Sequence, residues 1–313
     1  PRQYLNDFTG VTDPTTVSAA VAATQTFLNQ TVPNPFRGLV PQNATLNAAT
    51  IQRRFLLTPY PQFQDLIVTE YNGTSRYNSL QLQATKRLSQ GLSFNTSYSY
   101  SRDREKVRRL NPQDEELTDM ISLFDRPHRF TFSGIYELPF GRNRQFFSDV
   151  HPVVDAIFGG WQFNAVYEWQ SGEPLVLQNG VYTGDITQLE NRVGQKNEQG
   201  LRYGVDIPAF DTSGFISLGN NYVISSQNSL RILPYTLDKF RNQPFQKFDV
   251  GLTKNFRFNE RMRLQVRVEA INALNSVYLG NGLQLGITNQ AFGRVSGQRN
   301  LPRDIQLGAR FTF

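Results

Sequence analysis

Read two residues at a time, long stretches of this chain split into an apolar and a polar series. That property restricts them to strands with one apolar face. Near the C-terminal end Ile305, Leu307, Ala309, Phe311 and Phe313 form one series, and Asp304, Gln306, Gly308, Arg310 and Thr312 the other. Met262, Leu264, Val266, Val268 and Ala270 likewise oppose Arg263, Gln265, Arg267 and Glu269. The pattern repeats around Phe248–Phe256, Trp161–Trp169, Phe130–Leu138, Leu92–Tyr100 and Leu80–Leu88. A shorter strand is expected over 63–71, closed by the hairpin signal Asn72-Gly73. The sum is eight strands, most of about ten residues, where ordinary globular strands average about 5–6.

Alternation alone suits two homes, a soluble β-sandwich with its apolar face in a core or a membrane barrel with that face in lipid. No apolar run reaches the roughly 18 residues of a membrane helix, which leaves spanning strands untouched. The connections favour the barrel. Ser89-Gln90-Gly91 and the turn at Asn259-Glu260 are tight, whereas 103–127, 173–245 and 273–302 are long. Outer-membrane barrels have this asymmetry, with short periplasmic turns and long extracellular loops. The 139–160 link is long for its side, with a short helix expected between Val150 and Phe158. Trp161, Tyr136, Phe140, Phe256, Phe258, Phe311 and Phe313 fall at the inner ends of strands, and Tyr98, Tyr100, Tyr167 and Trp169 at the outer ends. These are two aromatic girdles around a band of Leu, Val and Ala. Lys86 and Lys254 intrude on the apolar series close to inner turns, from which they are expected to snorkel to headgroups.

The stretches RYNSLQLQATKRLSQGLSFNTSYSYS (76–101), FDRPHRFTFSGIYELPFG (124–141), GGWQFNAVYEWQSGEP (159–174), FDVGLTKNFRFNERMRLQVRVEAINALN (248–275) and FGRVSGQRNLPRDIQLGARFTF (292–313) resemble the C-terminal part of a TonB-dependent outer-membrane receptor of the Oar-like group. PNPFRGLVP and LLTPYPQF in the N-terminal stretch are similar, more weakly, to the preceding loop of that family. The resemblance implies an all-β, transmembrane antiparallel barrel in the outer membrane of a Gram-negative-type bacterium. Here it would be an incomplete sector of about 8–10 strands with long extracellular loops. Residues 1–62 are expected to be an extracellular loop region and 63–313 the barrel strands. The resemblance further implies energy-coupled import of a ligand, with TonB acting through an N-terminal plug that this sequence does not contain. Phe313 and Phe311 are similar to the assembly signal read by the barrel-insertion machinery. Outer-membrane lipid and lipopolysaccharide are the expected surroundings.

The search for chemistry points away from catalysis. The chain has no cysteine and two histidines, so thiolate and His-rich metal sites are excluded. His128 in DRPHR reads as a loop-to-strand residue bonding local backbone, and His151 as part of a turn before Pro152. The acidic run Asp114, Glu115, Glu116 and Asp119 lacks EF-hand spacing. GNGLQLG (280–286) lacks the spacing and context of a dinucleotide loop. No enzyme, metal or cofactor is expected. The net charge of +6 is scattered along the chain, without the stripe of a nucleic-acid binder. RDREKVRR (102–109) reads as an exposed basic loop, with lipopolysaccharide phosphates or an anionic ligand as its candidate partner. The polar series places Arg87, Arg129, Glu137, Glu168, Asp249, Arg263, Arg267, Glu269, Asp304 and Arg310 toward a lumen. Ligand selection is expected in loops 103–127 and 173–245, the second with small hairpins of its own near 181–188 and 214–224. Two other functions stay open at this point: a small complete barrel acting as anchor or adhesin, and a soluble β-sandwich binding module.

Overall fold

The computed structural model describes residues 23–61, 67, 69–142, 144–180, 182–215, 231–259, 261–279, 282–287 and 289–313. The chain divides into two compact units: Pro1–Asn72 with Ser217–Ser229, and Gly73–Ile216 with Leu230–Phe313. In the first, β1 (Thr31–Pro33) pairs antiparallel with β2 (Thr50–Gln52). Asn34 Nδ2 ties the connection down by donating to the carbonyls of Leu46 and Ala48 at 2.7 and 2.8 Å. Leu46 and Ile51 are the buried apolar residues there.

The second unit is built on one antiparallel sheet. Its long strands are β3 (Thr74–Ser89), β4 (Leu92–Lys106), β6 (His128–Glu137), β7 (Trp161–Gln170), β8 (Phe245–Arg257), β9 (Arg263–Ile271) and β10 (Asp304–Thr312). They lie in the order β10-β9-β8-β7-β6-β4-β3, and β5 (Met120–Ile121) adds to the end of β4. Each long strand pairs with its chain neighbour, as expected of a meander. Among the described residues β3 and β10 do not pair with each other, so the sheet is open. Of the strand expected over 63–71, residues 62–66 and 68 lie outside the described residues. Residues 69–73 carry no strand, and the chain enters the sheet at Thr74, so Asn72-Gly73 leads into β3 rather than closing a hairpin.

The register carries the alternation across the whole sheet. One row of cross-strand partners runs Ile305, Ala270, Val250, Ala165, Gly134, Phe94, Lys86, and the next runs Leu307, Val268, Leu252, Phe163, Tyr136, Leu92. The alternate rows are mostly polar: Gln306, Glu269, Gly251, Asn164 and Ser93 with Ile135 among them, and Lys247, Glu168, Thr131, Ser97 and Gln83, with Val166 a second apolar exception on that face. A one-residue slip in any strand would mix the two sets. The apolar face is not the inside of a sandwich: Leu80 and Leu307 are 57% and 79% exposed, and among the described residues no second large sheet covers them. A soluble sandwich is thereby excluded.

The turn between β3 and β4 is tight because the backbone there is left-handed. Gln90 and Gly91 have φ of 50° and 79°, and a Cβ on Gly91 would stand 2.7 Å from the Glu137 carbonyl. In the 139–160 link the helix runs Pro152–Phe158, within the expected span. His151, read from sequence as a turn residue, is its N-cap, Nδ1 accepting from the Val153 N–H at 3.3 Å. The far end of this helix changes the expectation for Lys254. Instead of snorkelling, Lys254 is 4% exposed and donates to the carbonyls of Ile157 and Gly159 at the helix C-terminus. Its ammonium also stands 5.3 and 5.1 Å from the ring centres of Trp161 and Phe256. The charge is satisfied by carbonyl oxygens and ring faces supplied by the protein. Trp161 Nε1 donates to the Ile157 carbonyl as well, at 2.9 Å. The helix is thus pinned to the apolar face of the sheet, with Val153, Ile157 and Phe158 left exposed.

Candidate functional site

The long connections at the opposite end of the sheet fold into one body with its own core. Leu177, Leu189, Val193, Ala209, Phe210, Phe215, Leu233, Leu237 and Phe240 from the 173–245 loop pack with Leu279 from the 273–302 loop. Phe210 meets Phe240 and Phe292 edge-on at 5.0 and 5.2 Å, and Phe215 meets Phe292 at 5.2 Å. Such edge-to-face pairs are worth about 0.5–1.5 kcal/mol beyond their buried area. Backbone bonds join the two loops: Val295 N–H donates to the Gly204 carbonyl at 2.8 Å, and Ala209 N–H to that of Gly293 at 2.7 Å. Of the two hairpins expected inside the 173–245 loop, the described parts instead meet each other, at an antiparallel bridge between Tyr182 and Phe215. Residue 181 and residues 216–230 lie outside the described residues.

The 103–127 loop joins the same body. Asn111 brackets Arg231, accepting from its N–H at 2.5 Å and donating to its carbonyl at 3.1 Å. The Arg231 guanidinium then donates to the carbonyls of Leu177, Leu233 and Pro234 and lies 4.3 Å from the Tyr235 ring centre. Burial pulls its pKa below the ordinary arginine value. Thr236 Oγ1 donates to the Ile121 carbonyl at 2.9 Å.

Beneath this body, where the loops leave the strands, sits a charged knot. The side chain of Asp125 is 0% exposed and accepts from Arg241 Nη2 at 2.6 Å and from the Asp103 N–H at 2.7 Å. Arg241 also reaches Asp238 at 3.2 Å, and Arg102 Nη1 meets Asp238 at 2.5 Å. Hydrogen bonding from Arg102, followed by that from Arg241, holds the Asp238 carboxyl below the usual carboxylate range. Arg126 and Asn242 both donate to the Glu173 carboxylate, at 3.1 and 2.9 Å. Sequence reasoning missed this knot, because its two central pairs, Arg102–Asp238 and Asp125–Arg241, join residues more than a hundred positions apart and no periodic pattern links their partners.

The residues expected to line a lumen occupy the polar face, except Arg87, which lies in the register shift between Lys86 and Ser89 and has no cross-strand partner; few of them pair with one another. Arg129 and Glu168 do, at 3.0 Å, and Arg267 reaches Glu269 at 3.7 Å. Glu137 takes Arg144 at 2.8 Å, and Asp249 takes Lys247 at 2.7 Å and the Asn272 N–H at 2.9 Å. Asp304 accepts from Gln306 at 3.0 Å. Arg87, Arg263 and Arg310 carry no ion pair among the described residues. Phe311 and Phe313 lie in the apolar series, their rings stacked at 6.1 Å. The rows in which the partners lie keep these charges on the face opposite the lipid band.

Three local readings change. The RDREKVRR stretch is strand as far as Lys106, so its first half extends the β3–β4 hairpin beyond the band. His128 accepts or donates through Nδ1 to the Tyr98 hydroxyl at 2.8 Å and sits among Tyr98, Tyr100 and Trp169, inside the outer girdle rather than on local backbone alone. The acidic run disperses: Asp114 accepts from the Asn111 N–H and Asp119 from Arg104 Nε. In GNGLQLG, Gly280 and Asn281 lie outside the described residues, and Leu283 bridges Val295.

A long-stranded antiparallel sheet, apolar on one exposed face and charged on the other, with its loops gathered at one end, defines a membrane β-barrel protein. The sequence agrees: a family model for an outer membrane beta barrel domain matches residues 18–306, and the chain belongs to that family. Its place is the outer membrane. No curated protein matches the chain.

Proposed function

We propose that this chain is the barrel wall and outer mouth of a TonB-dependent transporter of the Oar-like kind, importing a ligand by energy-coupled uptake. One observation carries the reading. Two of the long loops, 173–245 and 273–302, share a core, and the third, 103–127, is tied to the first of them by a buried ion pair and hydrogen bonds, so they form a shaped surface rather than separate tethers. Recognition is commonly carried by such loops on a rigid scaffold. The long-loop end faces outward, as in other barrels of this architecture. The charged face lines a hydrated lumen, where Arg263 and Arg310 are free to meet a plug or a passing ligand. The plug and the segment that takes the pull of TonB belong to the transporter as a whole.

The test compares solute depletion from a mixed medium by cells with and without the gene, each with and without a protonophore. Energy-coupled import predicts a solute whose depletion needs both the gene and the proton gradient. Depletion that survives the protonophore identifies a passive pore. No gene-dependent solute, with loss of surface adhesion, identifies an anchor.

A further inference from the structure

The β3–β4 hairpin continues past the outer girdle on the lipid-facing series. Its last row within the girdle is Leu80, Tyr100 and His128. Two rows further on, Arg76 stands directly opposite Arg104, and one row beyond that Thr74 stands opposite Lys106. Like charges directly opposed on one face destabilise a strand pair. Only part of the repulsion is relieved: Asp119 accepts from Arg104 Nε at 3.1 Å and attracts Arg76 and Lys106 at longer range, but the side chains of those two form no ion pair or hydrogen bond among the described residues. The three cations border a cleft of about 280 Å³, with the Thr74 and Ser75 edge, Glu105 and Asp119 as its remaining polar lining. Even with Glu105 counted, which belongs to the opposite series, cations exceed carboxylates there by three to two. A second opposed pair, Arg257 and Arg263, lies on the polar face beside an inner turn. That pair stands on the lumen-facing series, where water rather than a lipid headgroup is its neighbour.

Height decides what the outer cluster meets. Four residues beyond Tyr100, at about 3.3 Å each and with strands tilted about 35–45°, place Arg104 roughly 10 Å above the last aromatic row. Tyrosines of a girdle mark the headgroup level, so the cluster faces the charged headgroup layer from the lipid side. The neighbouring cation of the same series, Arg102, is already engaged by Asp238.

We propose that Arg76, Arg104 and Lys106 form a binding site for a phosphate group of an outer-leaflet glycolipid. Guanidinium and ammonium donors take phosphate oxygens in charge-assisted hydrogen bonds, and the anion removes the repulsion between the two strands. The site rests on the outward placement of the long-loop end proposed above.

The experiment uses the full-length protein extracted from outer membranes, observed by native mass spectrometry in detergent. Probes are a phosphorylated lipid A, the same lipid A dephosphorylated, and inorganic phosphate. The expected result is retention of the phosphorylated lipid A, binding weakened roughly tenfold or more in the R76Q/R104Q/K106Q variant, and no comparable binding of the dephosphorylated form. Heat-modifiable gel mobility shows whether the variant is folded. Equal binding of both lipid A forms to the unaltered protein overturns the site, whatever the variant does. Inorganic phosphate bound as tightly as lipid A overturns the lipid as its source. Orientation is read separately by labelling Glu116→Cys on intact cells with an impermeant maleimide. Labelling without a phosphate preference defeats the lipid site alone, and absence of labelling defeats the outward placement and the outer-leaflet assignment with it.

Discussion

The sheet and the loop body handle their apolar residues in opposite ways. In the strands Leu80, Leu252, Val268 and Leu307 are exposed in rows, and the largest cluster of buried residues owes nothing to them. In the loops Phe210, Leu233 and Phe240 are buried against one another. Each region therefore answers to a different solvent. The rows are removed from water by lipid, while the loop residues, which stand in water, are removed from it only by packing together. The charges divide the same way. On the polar face of the sheet they are spread out and hydrated, whereas Asp125 and Arg241 are shielded beneath the loops.

That contrast can be broken first in the loops. Phe240→Ala removes a side chain that is 0% exposed, and the expected loss is about 3–5 kcal/mol of loop stability. Limited proteolysis on intact cells should show new cuts in 173–245 with heat-modifiable mobility unchanged. If mobility collapses as well, loop body and sheet are one cooperative unit. Arg241→Ala leaves the Asp125 carboxylate buried without its cation, again at a cost of about 3–5 kcal/mol. Replacing both Arg241 and Asp125 with apolar residues should recover part of it, and a double-mutant cycle measures how much.

The next comparison pits two adjacent residues against each other. Leu307→Arg places a charge on the lipid face and should cost about 2–4 kcal/mol toward the midplane. Gln306→Arg, one residue away on the polar face, should stay within about 0.5 kcal/mol. Denaturant unfolding from lipid vesicles reads both, and equal costs would sink the assignment of faces. The smallest effect is with pH. Because the Asp238 carboxyl is held below its ordinary value, its contribution is complete above about pH 4 and is lost as the pH falls through the lowered value. Loops should therefore loosen in acid, by hydrogen exchange of 231–245. Asp238→Asn should remove that part of the acid response.

Alternation exposes each strand in the sequence because a pleated strand forces successive side chains to opposite faces, so the pattern is local and survives without the fold. The seven long strands, their meander order and the two faces were legible on that ground. The strand expected over 63–71 lies mostly outside the described residues, but the Asn72-Gly73 signal that was to close it leads instead into the sheet at Thr74. A turn signal says that the chain bends, not what it joins. Extension of the hairpin to Lys106 was hidden because Arg102, Arg104 and Lys106 read as a charge run, and their strand geometry depends on pairing with Thr74–Asn78. The lumen-facing residues were legible as a face, their partners were not: a periodic pattern assigns a direction, while an ion pair needs two positions in space. Lys254 shows the limit most directly. Its place on the apolar face follows from parity, but its partners, the Ile157 and Gly159 carbonyls, lie ninety-odd residues earlier and arrive only when the helix folds back.

By itself the sequence determined that these strands have one face for lipid and one for water, and at which end the chain leaves the sheet for long excursions. The tertiary structure alone decided that two of those excursions share a core, that Asp125 of the third is closed beneath them with Arg241, and that Arg76 faces Arg104. The physical reason is range. A strand's alternation is written residue by residue in the backbone, whereas a loop core and a charge pair exist only between residues that folding brings together.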